Sequence, residues 1–93
     1  MIKSIRDKTT LAVFQGVYAK RLPRQIQPRA LDKLRMIDAA ERLDDLRAPP
    51  ANRLEALKGR RAGQWSIRIN DQWRVCFRWA NGHAHNVEIV DYH

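Results

Sequence analysis

The chain has 93 residues, with 18 Lys and Arg against 10 Asp and Glu, a formal net charge of +8 and a pI near 10.6. That suits one small domain, residues 1–93, with a single core and a polyanionic partner. No run approaches the ~20 apolar residues of a spanning helix, Met1-Ile2-Lys3-Ser4-Ile5-Arg6 lacks the apolar stretch of a signal peptide, and the lone Cys76 excludes an internal disulfide. The expectation is a soluble, cytoplasmic protein with no membrane attachment, metal or cofactor.

Asp7-Lys8-Thr9-Thr10 supplies N-cap candidates ahead of Leu11, Phe14, Val17 and Tyr18, whose spacing predicts one face of a short helix ending at Gly16. Past a connector with Pro23, Pro28 suits the first turn of a second helix, in which Ala30, Leu31, Leu34, Ile37 and Ala40 form a stripe facing the core and Met36 and Leu43 flank it. This helix should end by Asp44-Asp45, because Pro49-Pro50 imposes an extended loop.

From there the hydrophobic period becomes two. Trp65, Ile67 and Ile69 alternate with Ser66, Arg68 and Asn70, and Trp73, Val75, Phe77 and Trp79 alternate with Arg74, Cys76 and Arg78. A loop at Asn70-Asp71-Gln72 pairs Ile69 with Trp73 and Ile67 with Val75, and sets Arg68 opposite Arg74. Asn81-Gly82 marks the next turn, and pairing Phe77 with Val87 and Val75 with Ile89 adds a third strand. The fold class is therefore α+β, with two N-terminal helices packed on one face of a small, mainly antiparallel, twisted sheet. The other face carries Ser66, Arg68, Arg74, Cys76, Arg78, Glu88 and Tyr92. Two opposed arginines repel, which an anionic ligand would relieve; the same face also fits a solvated polar surface.

The segment Arg53–Gly63 places Lys58, Arg60 and Arg61 among glycines that let a backbone approach a phosphate. It is no Walker loop, and read alone it also fits a solvated connection. Cleaving RNA without a metal needs a base, cations for the phosphorane and an acid for the departing 5′-oxygen. Lys58 and Arg74 suit the charge, and Asp91, Tyr92 and His93 suit proton handling or orientation. Alternation sends Asp91 and His93 to the face opposite Tyr92, so all three meet only where the strand curls or at the end of the sheet. A frayed terminal histidine, a packing tyrosine and an aspartate paired with arginine remain the alternatives. His83 and His85 read as turn and sheet-surface residues, and Cys76 as a small sheet residue.

Leu54-Glu55-Ala56-Leu57-Lys58-Gly59, Gly63-Gln64-Trp65-Ser66-Ile67, Asn70-Asp71-Gln72-Trp73-Arg74-Val75-Cys76-Phe77, Asn81-Gly82 and Asp91-Tyr92-His93, in that order, resemble the HigB branch of the RelE/ParE toxin superfamily. The resemblance implies a RelE-like fold and a type II toxin that enters the ribosomal A site and cuts mRNA by 2′-oxygen attack, leaving a 2′,3′-cyclic phosphate. It also implies a HigA-like helix-turn-helix antitoxin, whose complex with the toxin acts on operator DNA. By that resemblance Lys58 matches the family's active-site lysine, Arg74 the arginine of its W-R-[IV]-x-F strand, and Asp91, Tyr92 and His93 its C-terminal cluster. Arg60, Arg61, Arg68 and Arg78 are the expected RNA contacts. Where many HigB toxins have histidine in H-P-L-K-G, this chain has Glu55. Glutamate can serve as a base, but it adds negative charge where an anion binds. A non-catalytic RNA- or ribosome-binding module and a ParE-like gyrase inhibitor are the competing readings.

Overall fold

The structure is a computed structural model and describes residues 1–92. Helix α1 spans Lys8–Phe14, and its first turn is capped by Asp7, whose carboxylate accepts from the Thr10 N–H at 3.2 Å. It is shorter than its apolar spacing predicts. Gly16, at φ +78°, turns the chain out of the helix, so Val17 and Tyr18 lie beyond it, exposed. The buried face is Thr10 and Val13, while Leu11 is 40% exposed. Thr10 is inside because its hydroxyl accepts the Ile89 N–H at 3.0 Å, docking the helix on the sheet.

Helix α2 spans Gln27–Ala39, with Pro28 in its first turn and Ala30, Leu34 and Ile37 buried. It stops short of the expected Asp44-Asp45 because Ala40 is extended and a separate 3-10 turn, Leu43–Arg47, follows. Asp45 starts that turn by accepting from the backbone N–H groups of Arg42 (3.0 Å) and Glu41 (3.1 Å). These two bonds hold its carboxyl below the usual carboxylate range. Pro49 is extended, as expected, but Pro50 begins a further 3-10 turn, Pro50–Asn52.

One antiparallel sheet has the order β1 (Glu55–Ala56), β2 (Trp65–Arg68), β3 (Trp73–Ala80) and β4 (His83–Asp91). Ile67 pairs with Val75, Arg68 with Arg74 and Val75 with Ile89, as alternation requires. The expected Phe77–Val87 pair is displaced by a bulge. Cys76 faces Glu88 but Arg78 faces His85, so Asn86, at φ +53°, is the extra residue. The bulge keeps both Ala84 and Val87 buried although they are three residues apart. β1, read from sequence as loop, is a fourth strand. The N-terminal segment also joins the sheet, with parallel bridges from Ile2 to Ala84 and Ile5 to Val87.

Phe77, Ile67 and Val75 on the sheet pack with Leu34 and Ile37 of α2 and Val13 of α1 to form the core. Among the described residues no helix is long and apolar enough to cross a membrane.

Candidate active site

The face away from the helices is organised by one row across all four strands: Glu55, Ser66, Cys76 and Glu88. Its centre is not solvated. Ser66 and Cys76 are fully buried, and Leu57 is buried outside the main core. Burial pushes the Cys76 thiol up, despite the flanking arginines.

Each acidic end of the row holds an arginine. Glu88 lies 2.8 Å from Arg61 Nη1 and 3.3 Å from Arg6 Nε. Arg61 also reaches Gln64 Oε1 at 3.1 Å, and its bond to Glu88 raises its already high pKa. This expected RNA contact is thus engaged within the protein, where it ties the Gly59–Arg61 turn to β4.

At the other end, Glu55 Oε1 lies 3.6 Å from Arg74 Nη2. Arg74 donates from Nε to Ser66 Oγ at 2.7 Å and from Nη2 to the Arg53 carbonyl at 2.7 Å. Its Cζ stands 5.9 Å from the centre of the Tyr92 ring. Opposed Arg68 is paired with Asp71. Internal acceptors therefore relieve the Arg68–Arg74 repulsion, and no bound anion is required for it.

Tyr92 extends the sheet through its N–H to the Gln72 carbonyl at 2.7 Å. Asp91 pairs with Trp73 on the helix-facing side, and its Oδ2 accepts from Gln72 Nε2 at 3.1 Å. Arg74, Glu55 and Tyr92 come together, and Asp91 is held beside the loop that joins β2 to β3. His93 lies outside the described residues.

Lys58 is exposed just past β1, and among the described residues no ion pair or hydrogen bond engages its ammonium. Arg60 and Arg78 are exposed as well. Gly63, at φ +90°, lets the chain cross Arg78, whose Nη1 would stand 2.8 Å from an added Cβ. His83 and His85 sit at the start of β4; the Nδ1 of His83 is buried with no hydrogen-bond partner among the described residues, and burial lowers its pKa. Among the described residues no three His, Cys, Asp or Glu side chains gather to hold a metal.

Sequence reasoning missed Ser66 and the Arg53 carbonyl as the frame around Arg74. Ser66 was within reach, since the predicted register sets it diagonal to Arg74. Nothing in the sequence marks a carbonyl.

A family model described as a RelE-like toxin of type II toxin–antitoxin system HigB matches residues 3–93. The chain is a member of the HigB-like toxin family. The relatives of this HigB-like toxin include Toxin HigB-1 of Vibrio cholerae, 45% identical over 90 residues and covering 96% of this chain and 95% of that protein. Endoribonuclease HigB of Proteus vulgaris is 36% identical over 93 residues, the full length of both. The HigB-like fold matches a YoeB–YefM complex from Staphylococcus aureus with a TM-score of 0.61 at 18% identity, covering 100% of this chain and 98% of that one. A YoeB/ParE toxin from Agrobacterium tumefaciens matches with a TM-score of 0.53 at 19% identity, covering 99% of each chain.

Proposed function

We propose that this HigB-like toxin is a ribosome-dependent endoribonuclease that cuts mRNA in the A site without a metal and so inhibits translation in the cytoplasm. The observation that carries the reading is Arg74, its guanidinium fixed by Ser66 and the Arg53 carbonyl beside Tyr92 at the open end of a basic sheet. Full-length similarity to a protein named Endoribonuclease HigB supports it.

In the proposed reaction the ribose 2′-oxygen bonds to phosphorus as its proton passes to a base. The bond to the 5′-oxygen breaks, that oxygen takes a proton from an acid, and a 2′,3′-cyclic phosphate remains. Arg74 and Lys58 stabilise the charge that gathers on the phosphorane. His93 is the acid, with Tyr92 and Asp91 as orienting groups, and Glu55 occupies the position available to a base. Arg60, Arg78 and Arg68 draw in the RNA backbone.

The proposed partner is a HigA-like helix-turn-helix antitoxin, whose complex with the toxin binds operator DNA. A toxin–antitoxin family and a neighbour solved as a YoeB–YefM complex support an antitoxin partner.

Mapping 5′ ends after induction in translated and untranslated versions of one transcript tests the reading. Cuts confined to the translated frame, lost with Lys58→Ala or on removal of His93 while antitoxin binding persists, are expected. Affinity that declines gradually with each basic residue removed, with no cuts, marks a binding module. Supercoiling inhibition without RNA breaks marks a gyrase inhibitor.

A further inference from the structure

Four polar side chains are buried among the described residues: Thr10, Lys33, Asn52 and Ser66. Thr10 docks α1 on β4, and Ser66 receives Arg74. Lys33 and Asn52 face each other, with Lys33 Nζ donating to Asn52 Oδ1 at 2.5 Å. A buried ammonium is costly, and an apolar side chain on α2 would fill the same space without that cost. What Lys33 holds is therefore informative.

Asn52 is fully buried and fastened on several sides. Its Nδ2 donates to the Leu46 carbonyl at 3.2 Å and the Ala48 carbonyl at 3.5 Å, and its N–H donates to the Pro49 carbonyl at 3.0 Å. The next residue, Arg53, is left-handed at φ 45°, ψ 54°, and its N–H closes the turn on the Pro50 carbonyl at 3.1 Å. A non-glycine residue stays in that region only when its surroundings over-determine it. The Arg53 carbonyl then meets Arg74 Nη2 at 2.7 Å.

We propose that Lys33 and Asn52 are positioning residues for Arg74, acting by holding the Arg53 carbonyl against its guanidinium. The inference rests on the reading of Arg74 as the group that stabilises charge in RNA cleavage. A planar fork is held more firmly in one orientation when acceptors fix two of its nitrogens. Ser66, on the neighbouring strand, fixes Nε rigidly. The second close acceptor sits on a short turn between α2 and β1, and Lys33–Asn52 is the strong link that ties this turn to α2, beside a weaker contact of Asn52 Nδ2 with Met36 Sδ at 3.8 Å.

The test uses the full chain carrying Lys33→Met, which keeps the stem and removes the donor. The Nε–H and Nη–H proton resonances of Arg74 report its position whether or not RNA is cut. In the wild type they are expected to be distinct and slow to exchange, and in Lys33→Met the Nη set should broaden while the protein remains folded. An unchanged Arg74 spectrum overturns the proposal. In ribosome-dependent cleavage, kcat is expected to fall about ten- to a hundredfold with KM little changed, as for a misplaced catalytic group.

In an Arg74→Lys background the same substitution should add less than about twofold, because the fork it positions is already gone. An equal loss in both backgrounds assigns Lys33 to stability alone and overturns the proposal. If Lys33→Met does not fold, Lys33→Leu, which also removes the donor, is read the same way; broadening supports the link, and none overturns it. Broadened Arg74 signals with no RNA cleavage by the wild type leave the positioning intact and sink the nuclease reading instead.

Discussion

Glu55 and Arg74, on β1 and β3 with β2 between them, form an ion pair of 3.6 Å at the open end of the polar sheet face. The glutamate is half exposed, and Arg74 side-chain exposure is only 11%. A carboxylate thus competes with any phosphate that approaches this arginine.

Replacing the Glu55 carboxylate by an uncharged group that can still take a proton should strengthen the site. Exposed ion pairs are worth at most about 1 kcal/mol, so the rate of mRNA cleavage is expected to rise by no more than about fivefold, and Glu55→Gln, which removes the base together with the charge, should not show the gain. Glu55→His, which replaces the carboxylate with an imidazole able to take a proton, should increase growth inhibition on induction. An unchanged or weaker effect would count against the competition.

Glu88 is the second anchor, 15% exposed and shared by Arg61 and Arg6. Glu88→Gln leaves both guanidinium groups without their counter-charge and is expected to cost about 1–2 kcal/mol in urea unfolding, discounted for the exposure of the arginines. Arg61→Ala should cost more than Arg6→Ala, because Arg61 is 31% exposed and Arg6 61%. The reverse order would show that the loop anchored by Arg61 contributes little.

Cys76 should be inert in the folded protein. It is fully buried and its pKa is raised by that burial, so neither access nor thiolate is available. Reaction with a thiol-specific disulfide reagent is expected to proceed only through unfolding and to accelerate with urea. Immediate labelling of native protein would show that the sheet face around Cys76 opens without global unfolding.

Lys33 gives a pH signature. Burial, then repulsion from Arg29, lowers its pKa below 10.5, against an opposing pull from Asp32. The unfolded chain therefore keeps that proton to higher pH than the folded one. Stability contributed at this site rises as pH climbs through the folded pKa toward 10.5 and levels off above it. Urea titrations of wild type and Lys33→Met from neutral pH to about 10 should show the difference shifting toward the wild type. A difference flat with pH would remove the burial effect.

Local periodicity determined most of the scaffold. Alternation with one buried face, together with the turn lengths, fixes the register, so Ile67↔Val75, Arg68↔Arg74 and Val75↔Ile89 were legible, as was α2 from Pro28 and its apolar stripe. The motifs around Lys58, Arg74 and the C-terminus carried the family. β1 was not legible, because two residues show no period, and neither was the burial of Thr10, which a hydrogen bond from another element decides. The bulge at Asn86 and the pairing of residues 1–6 with β4 likewise depend on partners far along the chain. Consecutive residues of a strand point to opposite faces, so sequence alone separated Asp91 from Tyr92. Only the tertiary structure brought Arg74 beneath Tyr92 and gave it Ser66 and the Arg53 carbonyl, because a guanidinium is oriented by acceptors that distant segments deliver.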